Sequence, residues 1–261
     1  VSLLSIKDLT IRFGGLVAVN KVCIDLNEGE LVGLIGPNGA GKTTCFNMLT
    51  GVYVPSSGEI VFQNKSLVGQ APHKICSLGA SRTFQNIRLF KEMTVLENLL
   101  VSLHHDRGYS VFEAVFRLPR FWSGEARLKK KALSILSDLG LDSKAHVIAK
   151  NLPYGDQRKV EIARALATGP KLLLLDEPAA GMNPTETAQL SQFILNIRKQ
   201  YNLTVLLIEH DMSLVMKICE RIYVLDYGEL IAQGRPSEIQ GNSKVVEAYL
   251  GGGLDQIGDS P

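Results

Sequence analysis

Gly36-Pro37-Asn38-Gly39-Ala40-Gly41-Lys42-Thr43, followed by Thr44, is the stretch on which the fold turns. The residues before it, Glu30 to Ile35, form a short apolar run that reads as a strand. Lys42 to Thr50 reads as a helix stopped by Gly51. A glycine-rich loop between a strand and a helix matches P-loop spacing: successive backbone N–H groups face phosphate, and the positive end of the helix points to the same place. Lys42 is then placed to hold the β- and γ-phosphates. The Thr43 hydroxyl completes the coordination of a magnesium ion beside phosphate oxygens and water. The ligand expected is a nucleoside triphosphate with Mg2+.

Two further runs belong to the same sheet. Lys171-Leu172-Leu173-Leu174-Leu175-Asp176 and Thr204-Val205-Leu206-Leu207-Ile208-Glu209 have the length and composition of strands buried on both faces of a parallel sheet. Asp176-Glu177-Pro178 closes the first at its carboxyl edge, where open parallel sheets bind ligands. The adjacent carboxylates divide the work: Asp176 acts on magnesium through its water shell, and Glu177 polarises the attacking water. His210 follows the second run and is placed to bond a γ-phosphate, although a lone histidine is more often structural. The helix joining the runs announces its start, with Asn183 as N-cap, Pro184 at N1 and Glu186 at N3.

Upstream, Leu4, Ile6, Leu9 and Ile11 lead to Phe13-Gly14-Gly15, and Val22, Ile24 and Leu26 follow; this reads as strands of a small antiparallel layer. After the turn Pro55-Ser56-Ser57-Gly58, a strand through Ile60 and Phe62 returns to that layer. Pro72 starts a helical region. From about Met93 to Asp142 the spacing is helical with no strand pattern, as in an inserted lobe. Ile222 to Leu225 and Leu230 to Ala232 predict a hairpin around Tyr227-Gly228, and Gly251-Gly252-Gly253 opens a tail expected to be mobile.

Composition narrows the function classes. The 261 residues carry 28 basic and 26 acidic side chains, a formal charge of +2, which argues neither for a nucleic-acid coat nor for an acidic tail, and no nucleic-acid partner is expected. Cys23, Cys45, Cys76 and Cys219 form no CxxC pair, so a reducing cytosol is expected rather than a disulfide framework or zinc site. No apolar run approaches the ~18 residues of a membrane span, and the first residues, Val1 to Lys7, lack a signal-peptide plan.

In order, Gly36 to Thr44, Gln85, Leu152 to Gln157 followed by Ala163-Arg164-Ala165-Leu166, Asp176-Glu177 and His210 make five motifs. Together they resemble the ATP-binding cassette (ABC) ATPases over roughly residues 3 to 240. The resemblance implies an α/β fold: a P-loop core of mostly parallel sheet with helices, an antiparallel β subdomain and an inserted helical subdomain. It implies one ATPase domain over residues 1–250, with the core and β layer at about 1–84 and 168–250, the helical subdomain at about 85–167, and a flexible tail at 251–261. Phe13 looks like the aromatic that stacks on adenine. Gln85 looks like the Q-loop glutamine that touches magnesium and reports γ-phosphate to the helical lobe. Ala180-Gly181-Met182-Asn183 resembles the D-loop, with Asn183 where the family most often has aspartate.

The signature segment departs from the family. Where Leu-Ser-Gly-Gly-Gln is usual, the chain reads Leu152-Pro153-Tyr154-Gly155-Asp156, then Gln157, so a hydroxyl and a backbone donor are missing from what it lends to a partner's ATP. The helix expected from about Gln157 still presents its N-terminus to an anion. An asymmetric pair follows as an expectation: this chain's Lys42, Glu177 and His210 form the better site, completed by the intact signature of a different subunit.

Arg12-Phe13-Gly14-Gly15-Leu16-Val17-Ala18-Val19, Arg82-Thr83-Phe84-Gln85-Asn86-Ile87-Arg88-Leu89-Phe90, Tyr154-Gly155-Asp156-Gln157 and Glu209-His210-Asp211-Met212 look like the hydrophobic or branched-chain amino-acid importer group. That resemblance implies a second ATPase subunit, two transmembrane permeases and, indirectly, a periplasmic or tethered solute-binding protein, with this chain on the cytoplasmic face of the cell membrane. Urea importers and a homodimeric lipopolysaccharide exporter share much of the pattern, although Pro153 in both signatures counts against the exporter. A soluble ABC ATPase of DNA repair or ribosomes usually has a long coiled coil or a second ATPase domain. Asn86 to Asn98, with Leu89, Phe90 and Met93, is the expected permease contact. The segment from His104 to Lys131 is longer than a minimal lobe needs. Its stripe Val111, Phe112, Val115 and Phe116 beside many basic residues reads either as a contact with permease or lipid headgroups, or as lobe core with a solvated basic face.

Overall fold

In the computed structural model, which describes residues 2–210 and 212–251, the chain starts with two long strands, β1 (Ser2–Phe13) and β2 (Leu16–Asn27). They turn about Gly14-Gly15 and pair antiparallel, Phe13 opposite Leu16 and Ser2 opposite Asn27. Alternation slips at Asp8 and Lys21, both at φ 49°, where the register shifts between the Ile6–Ile24, Leu9–Val22 and Ile11–Val19 pairs. These bulges keep Ile6, Leu9, Val19 and Val22 all in the core, although the two members on each strand stand three residues apart.

β3 (Leu31–Ile35) leads through the glycine-rich loop to α1 (Lys42–Leu49), and β4 (Ser57–Phe62) and β5 (Lys65–Ser66) complete the antiparallel sheet in the order β2-β1-β4-β5. α2 (Pro72–Ser77) and β6 (Ala80–Arg82) follow, then four helices: α3 (Val95–Leu103), α4 (Val111–Val115), α5 (Pro119–Asp138) and α6 (Tyr154–Ala167). The chain returns through β7 (Leu172–Asp176), α7 (Pro184–Gln200), β8 (Thr204–Ile208), α8 (Met212–Ile218), the hairpin β9 (Arg221–Asp226) and β10 (Glu229–Gly234), α9 (Pro236–Gln240) and α10 (Ser243–Gly251).

The second sheet runs β10-β9-β3-β8-β7-β6. All neighbours in it are parallel except β10 on β9. Every residue of β3, β7 and β8 is buried, which is why these strands read as unbroken apolar runs. One core joins the two sheets; Phe46 of α1 belongs to it together with Leu4, Ile6, Leu26 and Phe62 of the antiparallel sheet and Leu34 and Tyr223 of the other. The α/β architecture expected from the sequence is the one observed.

The chain divides into two compact units, Val1–Arg82 with Lys171–Pro261, and Thr83–Pro170. The first holds both sheets. In the second, α3 packs on α5 and α6, and its start is fixed by a capping box between Thr94 and Glu97.

α7 has the start read from the sequence: Asn183 Oδ1 accepts from Glu186 N at 2.9 Å, and the Glu186 carboxylate accepts from Asn183 N at 3.1 Å. Asparagine and aspartate are about equal as N-caps, so the D-loop departure at Asn183 leaves this helix start intact. Replacement of Asn183 with alanine is expected to lower stability by about 1 kcal/mol, read as a shift in the urea midpoint, with Asn183→Asp near neutral.

Two expectations change. The signature helix begins at Tyr154 rather than near Gln157, because Pro153 sits at the N-cap with extended backbone (ψ 150°) and its carbonyl accepts from Asp156 N and Gln157 N, both at 3.0 Å. The stripe on α4 is not lobe core, since no residue of that helix is buried. The sequence reading also omitted β6, α8, α9 and α10. Gly251 ends α10, and the rest of the expected tail, 252–261, lies outside the described residues.

Candidate nucleotide-binding site

β3, β8 and β7 are neighbours in register, Leu34 beside Ile208 and Ile208 beside Asp176. The glycine-rich loop, the Glu209-His210 step and the Asp176-Glu177 pair therefore leave the sheet at one edge, the carboxyl ends of parallel strands. The loop's course depends on glycine. At Gly36 (φ 151°) a Cβ would lie 2.0 Å from the Leu225 carbonyl oxygen, and at Gly41 (φ 99°) 2.7 Å from that of Ala18. Gly41 caps α1 without a side-chain bond and the first turn holds no acid, so the N–H groups there suit an anion. Lys42 and Thr43 open that turn, with Thr43 exposed and Lys42 buried.

Lys42 folds back on the loop, Nζ donating to the carbonyls of Gly36 (2.7 Å) and Pro37 (2.8 Å). Burial lowers its pKa below the usual lysine value, and the carboxylates of Glu177 and Asp176 oppose that shift. The three groups thus share one electrostatic neighbourhood. Thr44 and Ala40 flank it, and Asn38 and Gly39 form the exposed crest of the loop.

Asp176 is almost fully buried and is held by a residue to which the sequence reading gave no role. Arg82, at the end of β6, donates from Nη2 to Asp176 Oδ2 at 2.6 Å. Its Nη1 reaches two α1 side chains, Asn47 Oδ1 at 2.7 Å and Thr50 Oγ1 at 3.3 Å. One guanidinium thereby ties the carboxylate to the helix that opens at Lys42. The sequence held only a weak signal for it, a lone cation after Gly79-Ala80-Ser81.

Glu177 has φ 44°, a left-handed conformation that costs an ordinary residue about 1–2 kcal/mol. Its N–H donates to the Ile208 carbonyl at 2.9 Å, which fixes the turn, and His210 Nδ1 lies 3.4 Å from its Oε2. Glu209, fully buried, accepts from Ala179 N at 2.7 Å and so braces the loop after Glu177. That role was also missed, though a carboxylate ending an apolar run was there to see. Phe13 is half exposed at the β1–β2 turn, edge-on to Tyr53 with centroids 5.3 Å apart.

Gln85 and the signature residues belong to the other unit. Gln85 is exposed, but its backbone is anchored: Arg158 on α6, wholly buried, donates to the carbonyls of Phe84 and Gln85, both at 2.8 Å, and to Glu161 Oε2 at 2.7 Å. Glu161 in turn accepts from Arg88 N at 3.2 Å. Arg164 bonds the Arg88 carbonyl and lies over the Phe90 ring. The segment from Phe84 to Arg88 is therefore fastened to α6. At that helix's start Pro153 and Tyr154 are exposed, while Gln157 bonds the Leu152 carbonyl at 2.9 Å and Asp156 is paired with Lys144.

Residues 19–180 match the family described as ABC transporter, and residues 229–255 match a branched-chain amino acid ATP-binding cassette transporter family. Salmonella typhimurium has a relative, the high-affinity branched-chain amino acid transport ATP-binding protein LivG, 49% identical over 95% of this chain and 98% of its own length. A crystal structure of the ADP conformation of an ATP-binding cassette of an ABC transporter superposes with a TM-score of 0.84 at 34% identity, covering 96% of this chain and 99% of that one. A dimeric bacterial ABC transporter cassette gives 0.73 at 26% identity over 89% and 98%. With the loop, the carboxylate pair and the strand order of such an ATPase in place, the chain belongs to the ABC transporter family as one of its ATP-binding, ATP-hydrolysing subunits.

Proposed function

We propose that this subunit powers an importer of branched-chain or other hydrophobic amino acids, paired with a different ATPase subunit and two permeases on the cytoplasmic face of the cell membrane. A solute-binding protein supplies the amino acid, which never touches this chain. The observation that carries the reading is the likeness to LivG along 95% of the chain. Among the described residues no helix is long and apolar enough to cross a membrane.

Within this reading, the loop from Gly36 to Gly41 and the first turn of α1 cradle the phosphates, and Phe13 stacks on adenine. Lys42 exchanges its loop carbonyls for β- and γ-phosphate oxygens. Glu177 takes the proton of the attacking water, and His210, beside it, bonds the γ-phosphate. Thr43 and Asp176 offer hard oxygen donors for Mg2+. A magnesium ion at such a site takes most of its ligands from phosphate and water. Bound there, Mg2+ supplies charge neutralisation for phosphoryl transfer. ATP held between this P-loop and the partner's signature draws the subunits together, and hydrolysis lets them part.

The weak side of the pair is what this chain lends. At Pro153 to Gly155 the partner's ATP meets a helix N-terminus without the signature hydroxyl, which supports unequal sites. The test is affinity purification of the tagged chain from native membranes with mass spectrometry. Recovery of a second, different ATPase and two permeases, with hydrolysis stimulated by leucine, isoleucine or valine through a binding protein, is the expected result. Self-dimers with lipid-export components would overturn the substrate and partner assignments.

A further inference from the structure

We propose that α4 and the start of α5 form a docking surface for an anionic phospholipid bilayer. Val111, Phe112, Val115, Phe116 and Trp122 are each between 58% and 69% exposed. The first four share one face of a helix by their spacing, and the rings of Phe112 and Phe116 lie 4.5 Å apart. A capping box between Ser110 and Glu113 holds the helix in place, so the apolar face is preformed in the folded chain. An exposed cluster of this kind marks a contact with something less polar than water.

The charges around it say what that is. From His104 to Lys131 the chain has seven Arg and Lys side chains against three acids, and the acids are engaged locally. Glu113 caps α4 and meets Arg120 at 3.5 Å, Asp106 pairs with Lys131 at 3.3 Å, and Glu125 accepts from the Tyr109 hydroxyl. Arg117 and Arg120, exposed beside Phe116 in sequence, can keep their guanidinium groups among phosphates while their stems lie along apolar surface. An apolar stripe with aromatic side chains and flanking arginines is the chemistry of a shallow interfacial anchor on acidic lipid. The length of α4 points the same way. Five residues span about 7.5 Å, too short to seat the i, i+4, i+7 anchors of a protein groove, whereas an interfacial contact needs only one apolar face laid in the plane of the headgroup boundary.

The inference rests on the membrane-associated reading above and adds direct lipid contact to attachment through permeases. The chain carries its own reporter, because Trp122 is its single tryptophan and is exposed at the start of α5. The purified full-length chain is mixed with vesicles of phosphatidylcholine alone, or of phosphatidylcholine and phosphatidylglycerol in equal parts. Trp122 emission is followed together with co-sedimentation. The expected result is a blue shift and sedimentation with the anionic vesicles, weaker on neutral ones and reversed by salt. Phe112→Ser with Phe116→Ser is expected to reduce the bound fraction about tenfold or more, and Arg117→Gln with Arg120→Gln to reduce it several-fold on anionic vesicles only. All four positions are exposed, and an unchanged melting temperature checks the fold of each variant. Absence of any shift or sedimentation in the parent chain, or equal binding by the phenylalanine variant, overturns the proposal. So does a phenylalanine variant that binds vesicles normally but no longer co-purifies with permeases, which would assign the face to protein. Recovery of the permeases by a parent chain that ignores lipid would sink this surface and leave the transporter reading intact.

Discussion

Glutamine in place of Glu177 is expected to lower ATP hydrolysis by the assembled transporter about a hundred- to ten-thousand-fold, the range set by removing a positioned general base, while ATP binding persists. The substitution is nearly isosteric, keeps the backbone bond from residue 177 to the Ile208 carbonyl, and leaves Arg82 on Asp176. It removes the proposed proton acceptor and one of the two carboxylates that oppose the depression of the Lys42 pKa, so that pKa moves further down. Steady-state phosphate release and equilibrium binding of a fluorescent ATP analogue, measured on the same preparation, separate the two effects. Undiminished hydrolysis in this variant, with the same change in the partner abolishing it, would reverse the assignment of the stronger site.

Methionine in place of Arg158 is expected to destabilise the folded chain by roughly 3–5 kcal/mol, the usual effect of breaking a buried ion pair from one side. The change removes the guanidinium that pairs with the buried Glu161 and takes the Arg158 hydrogen bonds from the carbonyls of Phe84 and Gln85. A loss of that size is a large share of a domain's net stability and should appear as a clear fall in the denaturant midpoint. Arg158→Met combined with Glu161→Leu should recover most of it, because the uncompensated charge is then gone. Recovery should stop short of complete, since Arg88 N also loses its acceptor. If the double variant is no more stable than the single one, the carbonyl bonds rather than the ion pair hold this part of the unit together.

The parallel core was legible because burial on both faces leaves strands no reason to carry polar residues, so β3, β7 and β8 stand out as apolar runs ending in the residues that matter. Helix caps were equally plain at Asn183. The bulges at Asp8 and Lys21 were present in the sequence as a slip in alternation but carry no composition signal of their own. β6 was hidden by its length, three residues of which Arg82 is one, and with it went the arginine that holds Asp176. The partners of Arg158 were out of reach for a different reason. A long cation on a helix reads as solvated, and only packing shows its guanidinium turned toward carbonyls more than seventy residues earlier in the chain. The stripe at Val111 to Phe116 left core and contact open because periodicity gives a face but not what covers it.

The strand order also sets a timetable for synthesis. β3 is finished by Ile35, yet its neighbours β8 and β9 begin at Thr204 and Arg221, roughly 170 residues later. At ribosomal rates of about 5–20 residues per second, that delay is on the order of ten to thirty seconds. During it the central strand has neither hydrogen-bonding neighbour, while the antiparallel hairpin before it and the contiguous helices of 83–170 can form from local contacts. The nascent chain is thus most vulnerable to mispairing at the strand that carries the phosphate loop. Truncation anywhere before β8 leaves that strand with both edges open.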